Sequence, residues 1–114
     1  MIMIQDQYDD LVLTGTAGQD FLTGRKGNDI LIGGSAYDNL DGNDGDDILD
    51  GGSGNDVLNG GNGDDILIGG TGNDFLFGGS GNDTYIFGAG HGLDDITEYN
   101  IFRWRNEYPE FFRI

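Results

Sequence analysis

Apolar residues in this chain fall in triplets with a fixed beat. Ile30-Leu31-Ile32, Ile48-Leu49-Asp50, Val57-Leu58-Asn59, Ile66-Leu67-Ile68 and Phe75-Leu76-Phe77 each centre on a leucine, and the centres lie nine or eighteen residues apart. Between triplets stand six residues dominated by glycine, asparagine and aspartate. Three residues are too few for a helix, and their β-branched and aromatic flanks read as very short strands. Gly, Asn and Asp take positive φ cheaply, so the intervening segments read as turns.

Four columns keep the nine-residue step over eight units. The first place is Gly15, Gly24, Gly33, Gly42, Gly51, Gly60, Gly69 and Gly78. The fourth is Gly18, Gly27, Ala36, Gly45, Gly54, Gly63, Gly72 and Gly81. The sixth is aspartate throughout: Asp20, Asp29, Asp38, Asp47, Asp56, Asp65, Asp74 and Asp83. The eighth is Leu22, Leu31, Leu40, Leu49, Leu58, Leu67, Leu76 and Tyr85. A chain that reverses at every turn brings units n and n+2 to the same side, where they stack as parallel neighbours. The expected fold is all-β, a right-handed parallel β-roll (a two-sheet β-solenoid) of about four coils from eight nonapeptide repeats. Low hydrophobicity with high charge also suits a disordered linker. A linker, however, has no reason to keep an apolar residue at every ninth place, so disorder is expected of the metal-free chain only.

Stacking gives the aspartate column its chemistry. Adjacent strands lie ~4.8 Å apart, so carboxylates eighteen residues apart would face each other and repel by ~1–3.5 kcal/mol. Six such pairs are expected: Asp20/Asp38, Asp38/Asp56 and Asp56/Asp74 on one edge, Asp29/Asp47, Asp47/Asp65 and Asp65/Asp83 on the other. A core one leucine thick absorbs little repulsion. A hard cation held ~2.3–2.6 Å from each of two oxygens spans one strand spacing, which is the calcium distance, whereas magnesium wants a shorter and stricter octahedron. Nitrogen and sulfur ligands for a transition metal are missing. The alternative for any one aspartate is a turn cap bonded to local N–H groups; eight at one period favour the metal. Off-register acids such as Asp41, Asp44, Asp46, Asp50 and Asp64 are expected to be solvated surface charges.

The runs 51–59, 60–68 and 69–77 (GGSGNDVLN, GGNGDDILI and GGTGNDFLF) resemble the RTX, or hemolysin-type, calcium-binding nonapeptide G-G-x-G-x-D-x-U-x. Residues 81–94 resemble the terminal unit of such arrays, and the match spans residues 13 to 98. The resemblance implies a β-roll that folds on several calcium ions, about six, in proteins exported unfolded by bacterial type I secretion. It implies ligand carbonyls from places one and three with Asp of one loop, and from places two and four with Asp of the loop stacked on it. Carried over, the ligands come from Gly51, Gly52, Ser53 and Gly54; from Gly60, Gly61, Asn62 and Gly63; from Gly69, Gly70, Thr71 and Gly72; and from Gly79 and Gly81. Asp94 continues the first edge beyond Asp74 but stands two residues out of register. Ala36 occupies a glycine place at a cost of roughly 1 kcal/mol, so the sites around Asp38 are expected to be weak or empty. Place two is Thr16, Arg25 and Asn43 in units one, two and four, where a carbonyl ligand survives if φ permits.

Composition narrows the function. The chain has 114 residues, 23 of them glycine, with 21 acidic against 5 basic side chains and a formal charge of −16. Such a charge argues against nucleic acid and anionic membranes. With no cysteine and His91 as the sole histidine, neither a disulfide framework nor an imidazole-rich zinc site can form. No apolar run approaches a membrane span of roughly 20 residues, and Met1–Ile4 lacks the flanks of a cleaved signal peptide. Residues 1–12 read as a lead-in or capping segment, 13–98 as the roll, and 99–114 as an aromatic cap or a tail resembling a secretion signal. No catalytic residues are expected, since nothing here forms a nucleophile–base pair. Extracellular calcium modules bind at about 10⁻⁴–10⁻³ M, so the chain should fold only once secreted, alone or within a parent exoprotein. Outward apolar flanks (Ile30, Ile32, Ile48, Ile66, Ile68 and Ile86; Phe21, Val57, Phe75 and Phe77) invite self-association or a parent domain. The alternative function is a polysaccharide-binding module similar to the repeats of alginate epimerases. An ice binder would need an outward threonine ladder, and the third place holds one threonine, Thr71.

Overall fold

The computed structural model describes residues 9–88, 90, 92–98, 104–106 and 111–113. Every regular element among them is a strand: β1 Val12–Thr14, β2 Phe21–Thr23, β3 Ile30–Ile32, β4 Asn39–Asp41, β5 Ile48–Asp50, β6 Val57–Asn59, β7 Ile66–Ile68, β8 Phe75–Gly79, β9 Thr84–Ile86, β10 Asp94–Glu98, β11 Trp104–Asn106 and β12 Phe111–Arg113. Odd strands form one sheet in the order β1-β3-β5-β7-β9-β12, and even strands form the other in the order β11-β10-β8-β6-β4-β2. Pairing from β1 to β9 is parallel and in register at the eighteen-residue step, as in Leu31 against Leu49 and Leu40 against Leu58, and β10 pairs parallel with β8 at a twenty-residue step. The chain is therefore a parallel β-roll.

It makes about five turns rather than the four expected. Val12–Thr14 pairs with Ile30–Ile32 and sets Leu13 into the leucine column, adding half a turn before the first unit. Asp94–Glu98 pairs with β8 and sets Ile96 against Leu76, adding another half at the far end. The first addition has no glycine turn before it and only its lone apolar residue marked it, whereas β10 follows Gly90 and Gly92 at positive φ, two residues out of step with the repeat. β11 and β12 then run antiparallel to β10 and β9, one on each sheet at the C-terminal end. The expectations for residues 1–8, for His91 and for the rest of 99–114 fall outside the described residues.

One side chain per rung builds the core. Leu31, Leu40, Leu49, Leu58, Leu67, Tyr85 and Ile96 are wholly buried, and Leu76 nearly so. The flanking residues of each triplet point outward, and Phe21 and Phe75 are more than half exposed. Turn geometry depends on positive φ at places two and four, at +86° for Gly52 and +99° for Gly54. Ala36 (+72°) and Asn43 (+67°) adopt the same conformation without being glycine. Ala36 therefore keeps its loop in line despite the strain.

Candidate metal centres

The sixth-place aspartates sit where each turn enters its strand, and the eighteen-residue step stacks them into two columns. Asp29, Asp38, Asp47, Asp56, Asp65, Asp74, Asp83 and Asp94 are at most 1% exposed. Backbone groups lock each one. The N–H of Asp38 donates to Asp56 Oδ1 at 2.9 Å, that of Asp56 to Asp74 Oδ1 at 2.8 Å, and that of Asp47 to Asp65 Oδ1 at 2.8 Å. Asp94 joins the column in spite of its two extra residues, accepting from Asp74 N–H at 2.9 Å. Rungs are thus tied by hydrogen bonds as well as by anything placed between the acids.

The second carboxylate oxygen is different. Oδ2 of Asp38, Asp47, Asp56, Asp65 and Asp74 is buried and accepts no hydrogen bond. Each lies over the first-place glycine of its own loop, and those of Asp38, Asp47, Asp56 and Asp65 also lie beside the first-place carbonyl of the next rung. A Cβ added to Gly51 would meet Asp56 Oδ2 at 2.5 Å and Gly69 O at 2.8 Å, and one on Gly33 would meet Asp38 Oδ2 at 2.7 Å and Gly51 O at 2.8 Å. Only glycine fits there, and what it leaves is a carboxylate oxygen and a carbonyl oxygen converging on one gap.

Burial sets the electrostatics. It pushes Asp74 up to about 8, Asp47 and Asp65 up to about 7, and Asp56 up to about 6; the bonds from the preceding rung's N–H offset part of this, and neighbouring acids add to it. Asp38 is raised for the same leading reason. A buried anion without a partner is costly and is stabilised only by a proton or a cation. The residues fit a hard cation. No point among the described residues gathers three or more acidic or histidine side chains, so carbonyls must complete the shell, as calcium accepts.

The sequence-predicted ligands divide. Carbonyls of Gly51, Gly60, Gly69 and Gly78 lie beside the aspartate one rung back on the same edge. Those of Gly52 and Gly61 accept the N–H of Thr71 and Ser80, at 3.0 and 3.1 Å. Gly54, Gly63, Gly70, Gly72, Gly79 and Gly81 hold the positive-φ turns that bring loops this close. Ser53 and Asn62 likewise donate their N–H to the preceding rung. Asp20 and Asp29 stand in the columns but accept local N–H groups at Oδ2, from Thr16 at 2.7 Å and Arg25 at 2.9 Å.

A second ladder escaped sequence reasoning. Asp46 and Asp64 are exposed, as expected, yet they also belong to a fifth-place column: Asp46 Oδ1 accepts from Asp64 N–H and Asp64 Oδ1 from Asn82 N–H, each at 2.8 Å. Asn55 Oδ1 does the same for Asn73 N–H on the other edge. The recurrence of Asn or Asp immediately before the sixth place was the available signal.

A comparison with curated proteins finds no match. The profile of the RTX calcium-binding nonapeptide repeat does match, in four copies covering residues 12–40, 27–58, 38–67 and 59–93. Those spans take in the column aspartates from Asp20 to Asp83 and the glycines that hold the gaps open, and the chain belongs to the RTX calcium-binding nonapeptide repeat family.

Proposed function

We propose that this calcium-binding β-roll is a folding switch: open where calcium is scarce, closed around calcium once outside the cell, as part of a type I-secreted protein or a parent exoprotein. The observation that carries this reading is the set of five buried, unbonded Oδ2 atoms at Asp38, Asp47, Asp56, Asp65 and Asp74. Calcium bound there supplies positive charge between rungs. The chain's own residues supply the carboxylates, the place-one carbonyls and the turns that exclude water. Because the gaps exist only when rungs are stacked, ion binding is folding free energy. A charge of −16 keeps the metal-free chain extended and suited to export. The outward faces around Phe75 and Ile30 are then available to a parent domain or a second copy.

Circular dichroism during calcium titration tests the switch, with magnesium as the control. A β spectrum should emerge cooperatively in the 10⁻⁴–10⁻³ M range typical of extracellular calcium modules, and magnesium at the same concentration should not reproduce it. An identical β spectrum in chelator and in calcium at pH 8 would sink the proposal.

A further inference from the structure

Among the described residues, seven gaps separate stacked aspartates: Asp20/Asp38, Asp38/Asp56, Asp56/Asp74 and Asp74/Asp94 on one edge, Asp29/Asp47, Asp47/Asp65 and Asp65/Asp83 on the other. The Oδ2 facing into a gap comes from its lower-numbered member. In five gaps this oxygen is bare. In the first gap of each edge it is not.

The difference traces to place two of the loop. Where that residue has positive φ, as in Gly34, Asn43, Gly52, Gly61 and Gly70, the Asp Oδ2 of the loop accepts nothing. The place-two N–H turns elsewhere: Asn43 N–H goes to Asp41 Oδ1 and Gly52 N–H to Asp50 Oδ1, both at 3.1 Å. Thr16 and Arg25 are not among the positive-φ residues. Their N–H groups point into the loop and end on Asp20 Oδ2 and Asp29 Oδ2. The Thr16 hydroxyl adds contacts at 3.2 Å to both Asp20 oxygens, and Asp29 Oδ1 accepts from Leu11 N–H at 2.9 Å.

An N–H aimed at the oxygen uses the lone pair a cation needs and puts a positive hydrogen where that cation would lie. The carboxylate oxygen is engaged by protein hydrogen bonds instead. Resting on the calcium reading above, we infer that the chain takes five calcium ions, and that Thr16 and Arg25 close the first gap on each edge with a backbone N–H. The first turn is thereby completed by protein groups, and the metal-dependent rungs begin at Asp38.

Equilibrium dialysis of the full chain against calcium, with circular dichroism in calcium confirming the fold of each variant, counts the sites. The wild-type chain should saturate at five ions. Asp29→Asn should stay at five, Asp65→Asn should fall to four or fewer, and the double variant Thr16→Gly/Arg25→Gly should rise above five. The wild-type count stands whatever the variants do. Six or seven ions in the wild type, fewer than five, or the loss of an ion in Asp29→Asn overturns the assignment while leaving a calcium-bound roll in place. No bound calcium at all removes the assignment and the folding switch together.

Discussion

The N–H of Asp56 donates to Oδ1 of Asp74, eighteen residues further on, at 2.8 Å, while Oδ2 of that carboxylate stays buried and unbonded. One oxygen therefore holds two rungs together and the other is kept back. The two roles of Asp74 can be separated by substitution.

In Asp74→Asn the side-chain carbonyl still accepts the Asp56 N–H, but the buried charge is gone. In Asp74→Ala that N–H loses its partner, and leaving a buried donor unpaired costs about 1–3 kcal/mol. Urea unfolding in millimolar calcium should place the alanine variant below the asparagine variant by that amount. In chelator the order of wild type and Asp74→Asn should invert, the asparagine variant being the more structured, because burial has pushed the wild-type carboxyl up to about 8. Equal stability of the two variants would remove the hydrogen-bonding role.

Most of this was legible beforehand, for a physical reason. A solenoid repeats its contacts with its sequence, so Leu49 packs against its rung neighbours for the reason Leu31 does, and the column of one predicts the column of all. The eighteen-residue stacking of the aspartates followed from the same periodicity. What stayed hidden is carried by single residues rather than columns. Leu13 extends the core without any glycine turn to announce it, and Ile96 follows a glycine turn two residues out of step with the repeat. The direction of one peptide at Thr16 or Arg25 decides whether a carboxylate oxygen is bare, and a side-chain identity does not state a φ angle. Asp46 and Asp64 looked like spare charge because their partners are backbone N–H groups one rung away.

Protons should compete with calcium in a defined window. Asp56, Asp47, Asp65 and Asp74 have folded-state values of about 6, 7, 7 and 8, above the roughly 3.9 of an unfolded aspartate. The folded chain then holds more protons than the unfolded one between about pH 4 and 8, so metal-free stability is greatest at the acidic end and is lost as pH rises through 6 to 8. Acidifying the chelated chain from pH 9 to 5 should raise its β signal, with calcium removing the dependence above pH 7. Calcium affinity should fall over the same interval, since each ion displaces protons. Far-UV circular dichroism across this range checks both, and a flat metal-free profile would contradict the burial of these carboxylates.

Tyr85 is the one non-leucine in the eighth column, and its place in the roll explains it. Gly60 N–H donates to the Phe77 carbonyl one rung on, at 2.8 Å. Gly78 donates instead to the Tyr85 hydroxyl, buried, at 2.9 Å. The ring fills the core position of a leucine, and the phenol reaches across to receive a donor at the last nonapeptide turn. Tyr85→Phe keeps the ring and deletes the acceptor, so it should destabilise the calcium-loaded roll by about 1–3 kcal/mol. Tyr85→Leu restores the consensus side chain yet should do no better, because it both loses the hydroxyl and leaves part of the ring's volume empty. Chemical denaturation in saturating calcium ranks the three chains. If Tyr85→Leu matched or exceeded the wild type, the hydroxyl would not be what finishes the last turn.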